Sequence, residues 1–397
     1  MRARILMLAL MVVSVFNPLV YASQDQVIRI GFIGSLSGPV AFMGKQTLRG
    51  LKLGLEYGTQ GTMRINGKKI ELLERDDQFK PDVGKQHLIS YFRDEQVDIA
   101  VGSSTSGVTK AMLPVAERYG KLLIVEPAQA SSITGKDWNP YIFRTGYNSW
   151  FYAASNAMIK VRPGTHVMMM AQNYSFGKDT LNAYKSTVER LGGHWVGAEL
   201  LPFSTTDFKA PMQRVFQKMK KLKGPKVLFI AWAGSVNAYA KVLREKPQRY
   251  DIDTYTGGNT IPILKGFKKF KGMEGTSYYY YKIPKNPMND WLTKTHLERF
   301  NSPPDFFVAG GMSAASAILT ALKTAKTTDA KKLIPVMEGM SFQTPKGEMQ
   351  FRKQDHQALQ DSYHFRLTTQ KGVDHAVPEL IRILSGTEVD IPIQNQP

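Results

Sequence analysis

The sequence predicts an α/β protein made of two lobes, each with a parallel sheet covered by helices. Apolar, β-branched segments alternate with amphipathic segments along most of the chain, which is typical of repeated strand–helix–strand units. The alternation begins at Val27 and restarts at His166, so the chain holds two blocks of similar pattern. No low-complexity linker separates the blocks, which indicates a rigid hinge. Because ligands of open parallel sheets bind beyond the carboxyl ends of the strands, we predict a binding cleft between the lobes.

In the first block, continuous apolar segments predict strands and leucines at helical spacing predict helices. Leu48, Leu51 and Leu55 share one helical face. Pro81 is suited to the first turn of a helix, where the missing amide hydrogen is tolerated. The predicted elements are strand 27–33, helix 44–57, strand 69–73, helix 81–92, strand 97–101, helix 108–119 and strand 122–125.

The second block repeats this pattern with apolar segments of its own. Its predicted elements are strand 166–171, helix 177–191, strand 195–201, helix 208–222, strand 227–232, helix 236–243 and strand 252–256. Farther along, the four tyrosines 278–281 predict a strand and the alanine-rich segment 307–325 predicts a long helix. Segment 362–367 alternates apolar and polar residues, as a half-buried strand does.

The composition excludes several classes of protein. The 397 residues contain no cysteine, which excludes a disulfide scaffold, a zinc–thiolate site, a thiol nucleophile and a cysteine-linked lipid anchor. The net charge of +19 favours an anionic partner such as nucleic acid, an anionic surface or an acidic ligand. The lysines cluster in segments 218–226 and 265–271, however, and both segments are typical of solvated faces. We therefore expect no nucleic-acid partner.

Residues 1–22 have the pattern of a secretory signal peptide. Arg2 and Arg4 precede a short apolar segment, 5–16, and Ala22 follows compact residues at the expected cleavage site. The alternative is an uncleaved anchor helix, which the Asn-Pro pair at 17–18 disfavours. We expect cleavage after Ala22, no later stretch of membrane-spanning length, and a periplasmic location, since a secreted protein without a lipid anchor is retained between two membranes.

Three polar loops follow strands of the first block. Segment 34–44 is rich in small residues, but it lacks the Gly-Lys-Ser/Thr ending of a phosphate-binding loop. Segment 102–107 brings hydroxyls and free amide groups to a helix start, which suits a carboxylate, although helix capping needs the same atoms. Segment 126–132 is the third loop. The candidate ligand-binding residues in these loops and the following helix are Ser104, Ser106, Thr109 and Glu126.

Loops after strands of the second block carry aromatic and amide side chains. Tyr174 and Phe176 follow its first strand, Trp232 ends a later strand, and Asn259 follows another. An aromatic residue in a strand usually belongs to the core, but aromatics at several strand exits can cover a ligand. The seven histidines show no metal-ligand spacing, so we expect no metal and no cofactor. Asp76-Asp77 is expected to make surface or hinge-side hydrogen bonds.

The loops together resemble those of a known family. Segments 34–38, 76–77, 102–106, 127–128 and 141–144 occur in the order and spacing of the periplasmic leucine/isoleucine/valine-type solute-binding proteins of ABC transporters, over roughly residues 27–385. The resemblance implies two doubly wound α/β lobes joined by a three-crossover hinge, as in type I periplasmic binding proteins. It also implies a monomer that delivers a small solute to permease subunits in the inner membrane.

The resemblance also implies boundaries for the lobes. The first lobe would comprise residues 23–145 and 276–346, and the second would comprise residues 146–275 and 347–397. The chain would cross between the lobes near 144–145, 275–277 and 344–347.

In this family the ligand carboxylate is held at positions that look like Ser106, Ala128 and Ala130 here. The aromatic cover looks like Phe176, with Tyr174 and Trp232 nearby. The glutamate that receives the ligand's ammonium group is replaced by the neutral Asn259. A buried ammonium without a counter-charge is costly. Either Glu126 supplies the charge, or the ligand is an amide, an aromatic acid or another organic acid instead of a branched-chain or related amino acid.

Two other functional classes remain open at this point. A secreted α/β serine hydrolase would use Ser104 or Ser106 as the nucleophile, but no histidine follows a strand where a base is needed. A ligand-sensing subunit of a membrane receptor would have the same sequence features as a transport protein.

Overall fold

A computed structural model describes residues 27–233, 237–257 and 260–395. The predicted signal peptide and Asn259 lie outside these residues. The architecture is α/β, with one large sheet in each of two lobes and a third, small sheet, which confirms the predicted fold class.

The first lobe is built on a six-stranded sheet with strand order β2-β3-β1-β4-β5-β6. All pairs are parallel except the short β2 with β3. The elements are β1 (Val27–Gly34), α1 (Ala41–Gly58), β2 (Arg64–Ile65), β3 (Lys68–Asp76), α2 (Pro81–Arg93), β4 (Ile99–Gly102), α3 (Ser106–Tyr119), β5 (Leu122–Val125) and β6 (Ile142–Arg144). A single 3₁₀ turn, Ser131–Thr134, precedes β6.

The second lobe is built on a seven-stranded sheet with strand order β16-β15-β11-β10-β9-β7-β8. The elements from the middle of the chain are α4 (Ser149–Lys160), β7 (His166–Gln172), α5 (Ser175–Arg190), β8 (His194–Leu201), α6 (Lys209–Met219), β9 (Lys226–Ala231), α7 (Ala238–Arg244), β10 (Ile252–Gly257), α8 (Ile261–Gly266) and β11 (Glu274–Ser277). A 3₁₀ turn, Pro247–Tyr250, precedes β10.

The last part of the chain contributes helices and strands to both lobes. It contains α9 (Pro287–Phe300), α10 (Phe306–Ala325), α11 (Ala330–Met337), β12 (Ser341–Thr344), β13 (Gly347–Phe351), β14 (Ala358–Leu359), β15 (Ser362–Thr368) and β16 (Val377–Leu384). Strands β12, β13 and β14 form a small antiparallel sheet, whereas β15 and β16 complete the second lobe as antiparallel strands.

The third crossing between the lobes differs from its predicted place. Met349, Phe351 and Ala358 are buried in the same apolar core as β1 and α10 of the first lobe. The chain therefore leaves the first lobe after β14, near residue 360, and not at 344–347. The alternating pattern of β13 does not reveal which lobe its buried side chains face.

Two other expectations change. The tyrosine segment 278–281 is irregular, and the strand is β11, immediately before it. Helix α10 is, among the described residues, the one helix long and apolar enough to cross a membrane, contrary to our expectation that no later stretch has that length. Most of it is buried in the protein, so its apolarity is that of a core helix.

Candidate functional site

The two lobes enclose a cavity of about 380 Å³. The first lobe contributes the start of α1, Gln129 and the start of α10, while the second lobe contributes residues that follow β7, β9 and β10 and one residue of α4. The lining is Gly38, Pro39, Val40, Ala41, Phe42, Met43, Gln129, Tyr152, Phe176, Trp232, Ala233, Asn237, Tyr239, Thr260, Pro262, Ile263, Phe306 and Phe307. Most of these side chains are apolar, so we name this cavity the apolar chamber.

A second, smaller cavity of about 40 Å³ lies beside the apolar chamber and shares Met43, Gln129, Phe176 and Ala233 with it. Its other lining residues are Ser104, Thr105, Ser106, Pro127, Ala128 and Tyr174. We name it the hydroxyl pocket, because three consecutive hydroxyl side chains at the start of α3 form one wall. The three consecutive hydroxyl residues therefore lie at one end of the cleft, beside the apolar chamber.

Asp77 joins the loops that follow β1 and β4 of the first lobe by hydrogen bonds. Its carboxylate is fully buried and accepts hydrogen bonds from Ser35 Oγ and Ser103 Oγ, both at 2.5 Å. Ser104 Oγ accepts a bond from the Ser35 amide at 2.9 Å. Thr109 Oγ1 accepts one from the Ser103 amide at 3.1 Å. Because β1, β3 and β4 are parallel neighbours, their exits meet at one edge, where this network fixes them.

The start of α3 is suited to an anion. Its N-cap residue, Thr105, makes no side-chain capping bond, and the first amides of a helix have no acceptor within the helix. Ser106 Oγ accepts a hydrogen bond from the Ala130 amide at 3.0 Å, which leaves its own proton available to a ligand. The partial positive charge of the helix start favours a carboxylate in the hydroxyl pocket.

No charged side chain lines either cavity in the described part of the chain. The neighbouring residues 234–236 and 258–259, which lie outside that part, are uncharged in the sequence. A ligand ammonium group would therefore lose its hydration without gaining a counter-ion, which costs several kcal/mol.

The structure brings most of the predicted site residues together. Ser104, Ser106, Ala128, Tyr174 and Phe176 line the hydroxyl pocket, and Phe176 with Trp232 lines the apolar chamber. Three others do not line either cavity. Thr109 supports the Ser103 amide, Ala130 bonds to Ser106, and Glu126 is buried in the hinge.

Sequence reasoning missed the walls that come from α1, α4 and α10. Phe42 and Met43 at the start of α1 and Phe306 and Phe307 at the start of α10 line the apolar chamber. Phe306 follows Phe42 by 264 residues in the chain, so no local pattern links the two helices. The small residues of segment 34–44 predicted a loop before a helix, but they did not indicate that Phe42 in this segment lines the cavity.

A family model described as "Periplasmic binding protein" matches residues 27–372 of the sequence. The chain belongs to this family. It is the periplasmic substrate-binding component of an ABC transporter, and its family and structural neighbours are solute-binding proteins and not enzymes. The serine hydrolase alternative is therefore dropped. The resemblance stated from the loop residues is confirmed.

Relatives cover nearly the whole of this binding protein. Leu/Ile/Val-binding protein homolog 6 of Brucella suis is 24% identical over 371 residues, which are 90% of this chain and 91% of the relative. A solved structure from Rhodopseudomonas palustris, described as an ABC-type branched-chain amino acid transporter, is 48% identical and has a TM-score of 0.83, covering 93% of this chain and 100% of that one. Another from the same species, a solute-binding protein in complex with 3,4-dihydroxybenzoic acid, is 23% identical and shares the fold with a TM-score of 0.78, over 91% and 98% of the two chains.

Glu126 is part of a buried polar cluster where the crossings of the binding protein meet. Its Oε2 accepts a hydrogen bond from Thr145 Oγ1 at 2.9 Å, and Gly310 leaves room for its Oε1, because a Cβ there would lie 2.2 Å from that atom. Lys346 Nζ donates to Gln360 Oε1 at 2.6 Å in the same cluster. Burial raises the pKa of Glu126 and lowers the pKa of Lys346, while the attraction between the two opposes both shifts. This position supports the hinge and does not bring the carboxylate to the lining of the cavities.

Hydrogen bonds between Ser131 and Asp179 join the lobes of the binding protein, and we name them the latch. The Ser131 amide and Ser131 Oγ, from the first lobe, donate to the carboxylate of Asp179 on α5 of the second lobe at 2.7 to 2.9 Å. Phe79 and Phe203 also meet across the lobes, with ring centroids 5.4 Å apart. These contacts exist only when the lobes are together, so they stabilise the closed form.

Asp179→Ala is expected to weaken the binding of every ligand by about tenfold without changing the order of preference. The reason is that charge-assisted hydrogen bonds contribute about 1.5–3 kcal/mol to closure, and closure is common to all ligands. Calorimetry on a set of ligands measures the affinities. Glu189→Ala is the control, because Glu189 is an exposed residue of the same helix. If Asp179→Ala changed the order of ligand preference and Glu189→Ala did not, the proposal that Asp179 acts only on closure would be contradicted.

The start of α10 predicts a pH dependence of stability. Asp305 caps this helix by accepting bonds from the Phe307 and Val308 amides, and burial raises the pKa of Asp305 to about 6. Because this pKa lies above the unfolded value of 3.8, the folded state favours the protonated form of Asp305. The stabilisation from protonation is complete below pH 3.8 and is lost as the pH rises through about 6. Asp305→Asn keeps the cap without the charge, so we expect it to raise the free energy of unfolding by up to about 3 kcal/mol at pH 7 and by little at pH 4. Denaturant titrations at both pH values test this, and an equal effect at both would contradict it.

Proposed function

We propose that the protein captures a monocarboxylate that has an apolar body and no ammonium group, and holds it between the lobes for transport. The absence of any charged side chain among the described residues that line the cavities carries this proposal, because an α-amino acid needs a counter-ion for its ammonium group. The carboxylate would be held by Ser106 Oγ and the first amides of α3.

The apolar body would lie against the aromatic side chains of both lobes. Phe307 of the first lobe and Phe176 and Trp232 of the second lobe line the apolar chamber. Burial of apolar surface would supply most of the affinity. Closure of the lobes follows from the ligand binding the closed form better, and the bond between Ser131 and Asp179 adds to it.

The relatives are consistent with either kind of ligand. One solved relative is described as a branched-chain amino acid transporter, and others are in complex with 4-hydroxybenzoate and with benzoate. The described lining residues of this chain are uncharged, which favours acids of the second kind. We also propose that residues 1–22 are removed during export and that the loaded protein docks on permease subunits of the inner membrane.

Matched pairs of ligands test the proposal. Phenylalanine and 3-phenylpropanoate differ only in the ammonium group, as do leucine and 4-methylpentanoate. We expect calorimetry to show that each acid binds at least about 100-fold more tightly than its amino acid, because a buried unpaired ammonium costs several kcal/mol. The methyl ester of 3-phenylpropanoate, which has no charge, is the control for the carboxylate. Tighter binding of the amino acids, or equal binding of the ester, would refute the proposal.

A further inference from the structure

The apolar chamber is larger than a single-ring or branched-chain ligand requires. A dry cavity of about 150 Å³ in a protein core accommodates benzene. The chamber measures about 380 Å³, more than twice that volume, and the adjoining hydroxyl pocket, which would hold the carboxylate, adds about 40 Å³. A benzoate or a leucine-sized acid would leave much of the chamber unfilled, and unfilled apolar space loses contact energy.

Exposed apolar side chains lie where α1 and α8 line the chamber, although Asn237 and Thr260 lie on the same wall as α8. Phe42, which lines the chamber, is 40% exposed although it is a large aromatic side chain, and its ring meets Phe307 edge-on with centroids 6.4 Å apart. Pro262, on α8 of the opposite lobe, is also exposed, and Ile263 beside it is half-buried. A ligand that reaches this side of the chamber would cover these apolar side chains, and their burial would favour its binding.

We infer that the solute is a long monocarboxylate, with its head in the hydroxyl pocket and an apolar body about two benzene rings in length that extends through the chamber to Phe42 and Ile263. Medium-chain alkanoates and aryl-alkanoates have this chemistry. This inference rests on the proposed function and specifies the length of its ligand.

A homologous series tests the inference. Calorimetry compares butanoate, hexanoate, octanoate and decanoate, and in parallel benzoate, 3-phenylpropanoate and 5-phenylpentanoate. Each methylene buried in the chamber should strengthen binding by about fourfold, so affinity should rise steadily to octanoate or decanoate and to 5-phenylpentanoate. Affinity that peaks at butanoate, hexanoate or benzoate and then falls would overturn the inference and leave the proposed function intact. If none of the acids binds, the proposed function fails and this inference falls with it.

A variant locates the far end of the ligand. Ile263→Trp narrows the chamber beyond the first ring, so we expect it to weaken decanoate binding at least tenfold more than butanoate binding. Since both ligands are measured on the same variant, a folding defect would lower both affinities alike. Equal losses for the two ligands would place the body of decanoate elsewhere and overturn the inference.

Discussion

Gly311→Ala is expected to lower the free energy of unfolding by about 3 kcal/mol. Gly311 of α10 packs directly on α1, and a Cβ at this position would lie 2.0 Å from the Thr47 carbonyl oxygen. Gly50 makes the reciprocal contact, since its Cβ would lie 1.9 Å from the Val308 carbonyl oxygen. The better helix propensity of alanine, about 1 kcal/mol, is too small to offset the separation of two backbones. Denaturant unfolding followed by tryptophan fluorescence measures the change.

Gly107→Ala is the matched control for this prediction. Gly107 also lies in a helix, α3, but a Cβ there would meet only Pro81, at 4.0 Å. We expect that variant to be as stable as the parent or slightly more stable. Equal stability of Gly311→Ala and Gly107→Ala would mean that α1 and α10 do not require the close approach. Because both helices begin at the apolar chamber, Gly311→Ala should also weaken ligand binding.

Ser106→Ala is expected to weaken carboxylate binding by about 10- to 100-fold. The change removes the hydroxyl that would donate to the ligand, and a hydrogen bond to a charged group contributes about 1.5–3 kcal/mol. It also leaves the buried Ala130 amide without its acceptor, so some loss of stability accompanies the loss of affinity. Calorimetry with 3-phenylpropanoate and denaturant unfolding separate the two effects.

Thr109→Val is the control for Ser106→Ala. Thr109 is also a buried hydroxyl residue of α3, but it bonds to the Ser103 amide and does not line either cavity. We expect it to lower stability by about 1–2 kcal/mol while it changes affinity much less than Ser106→Ala does. Equal losses of affinity in the two variants would show that Ser106 acts only through the loop that it supports.

The sequence was sufficient to predict the fold because the central strands of the two large sheets are parallel and buried. A strand of such a sheet is a continuous apolar segment, as in β5 and β9, whose predicted bounds agree with the structure to within one residue. The failures have physical causes. Helix α4 was missed because Phe151, Tyr152 and Ala153 are all buried, so the helix has no polar face to reveal its period. The tyrosine segment 278–281 has the composition of a strand, but it packs in the cores at the hinge without strand pairing.

The candidate site was predictable only where it follows the strands. Ser104, Ser106, Phe176 and Trp232 all come just after parallel strands or at the helices that follow, and the structure brings them to the cleft. Glu126 has the same kind of position, but its side chain turns into the hinge, where Gly310 makes room for it. The direction of a side chain at a strand exit depends on packing from distant parts of the chain, which a local pattern does not contain.

A crystal structure of the complex with 3-phenylpropanoate tests the account most directly. We expect the carboxylate at hydrogen-bonding distance, about 3 Å, from Ser106 Oγ and the first amides of α3, with the ring between Phe307 and Trp232. A carboxylate that faces solvent at the rim near Phe42, or a ligand bound outside the cleft, would contradict the account.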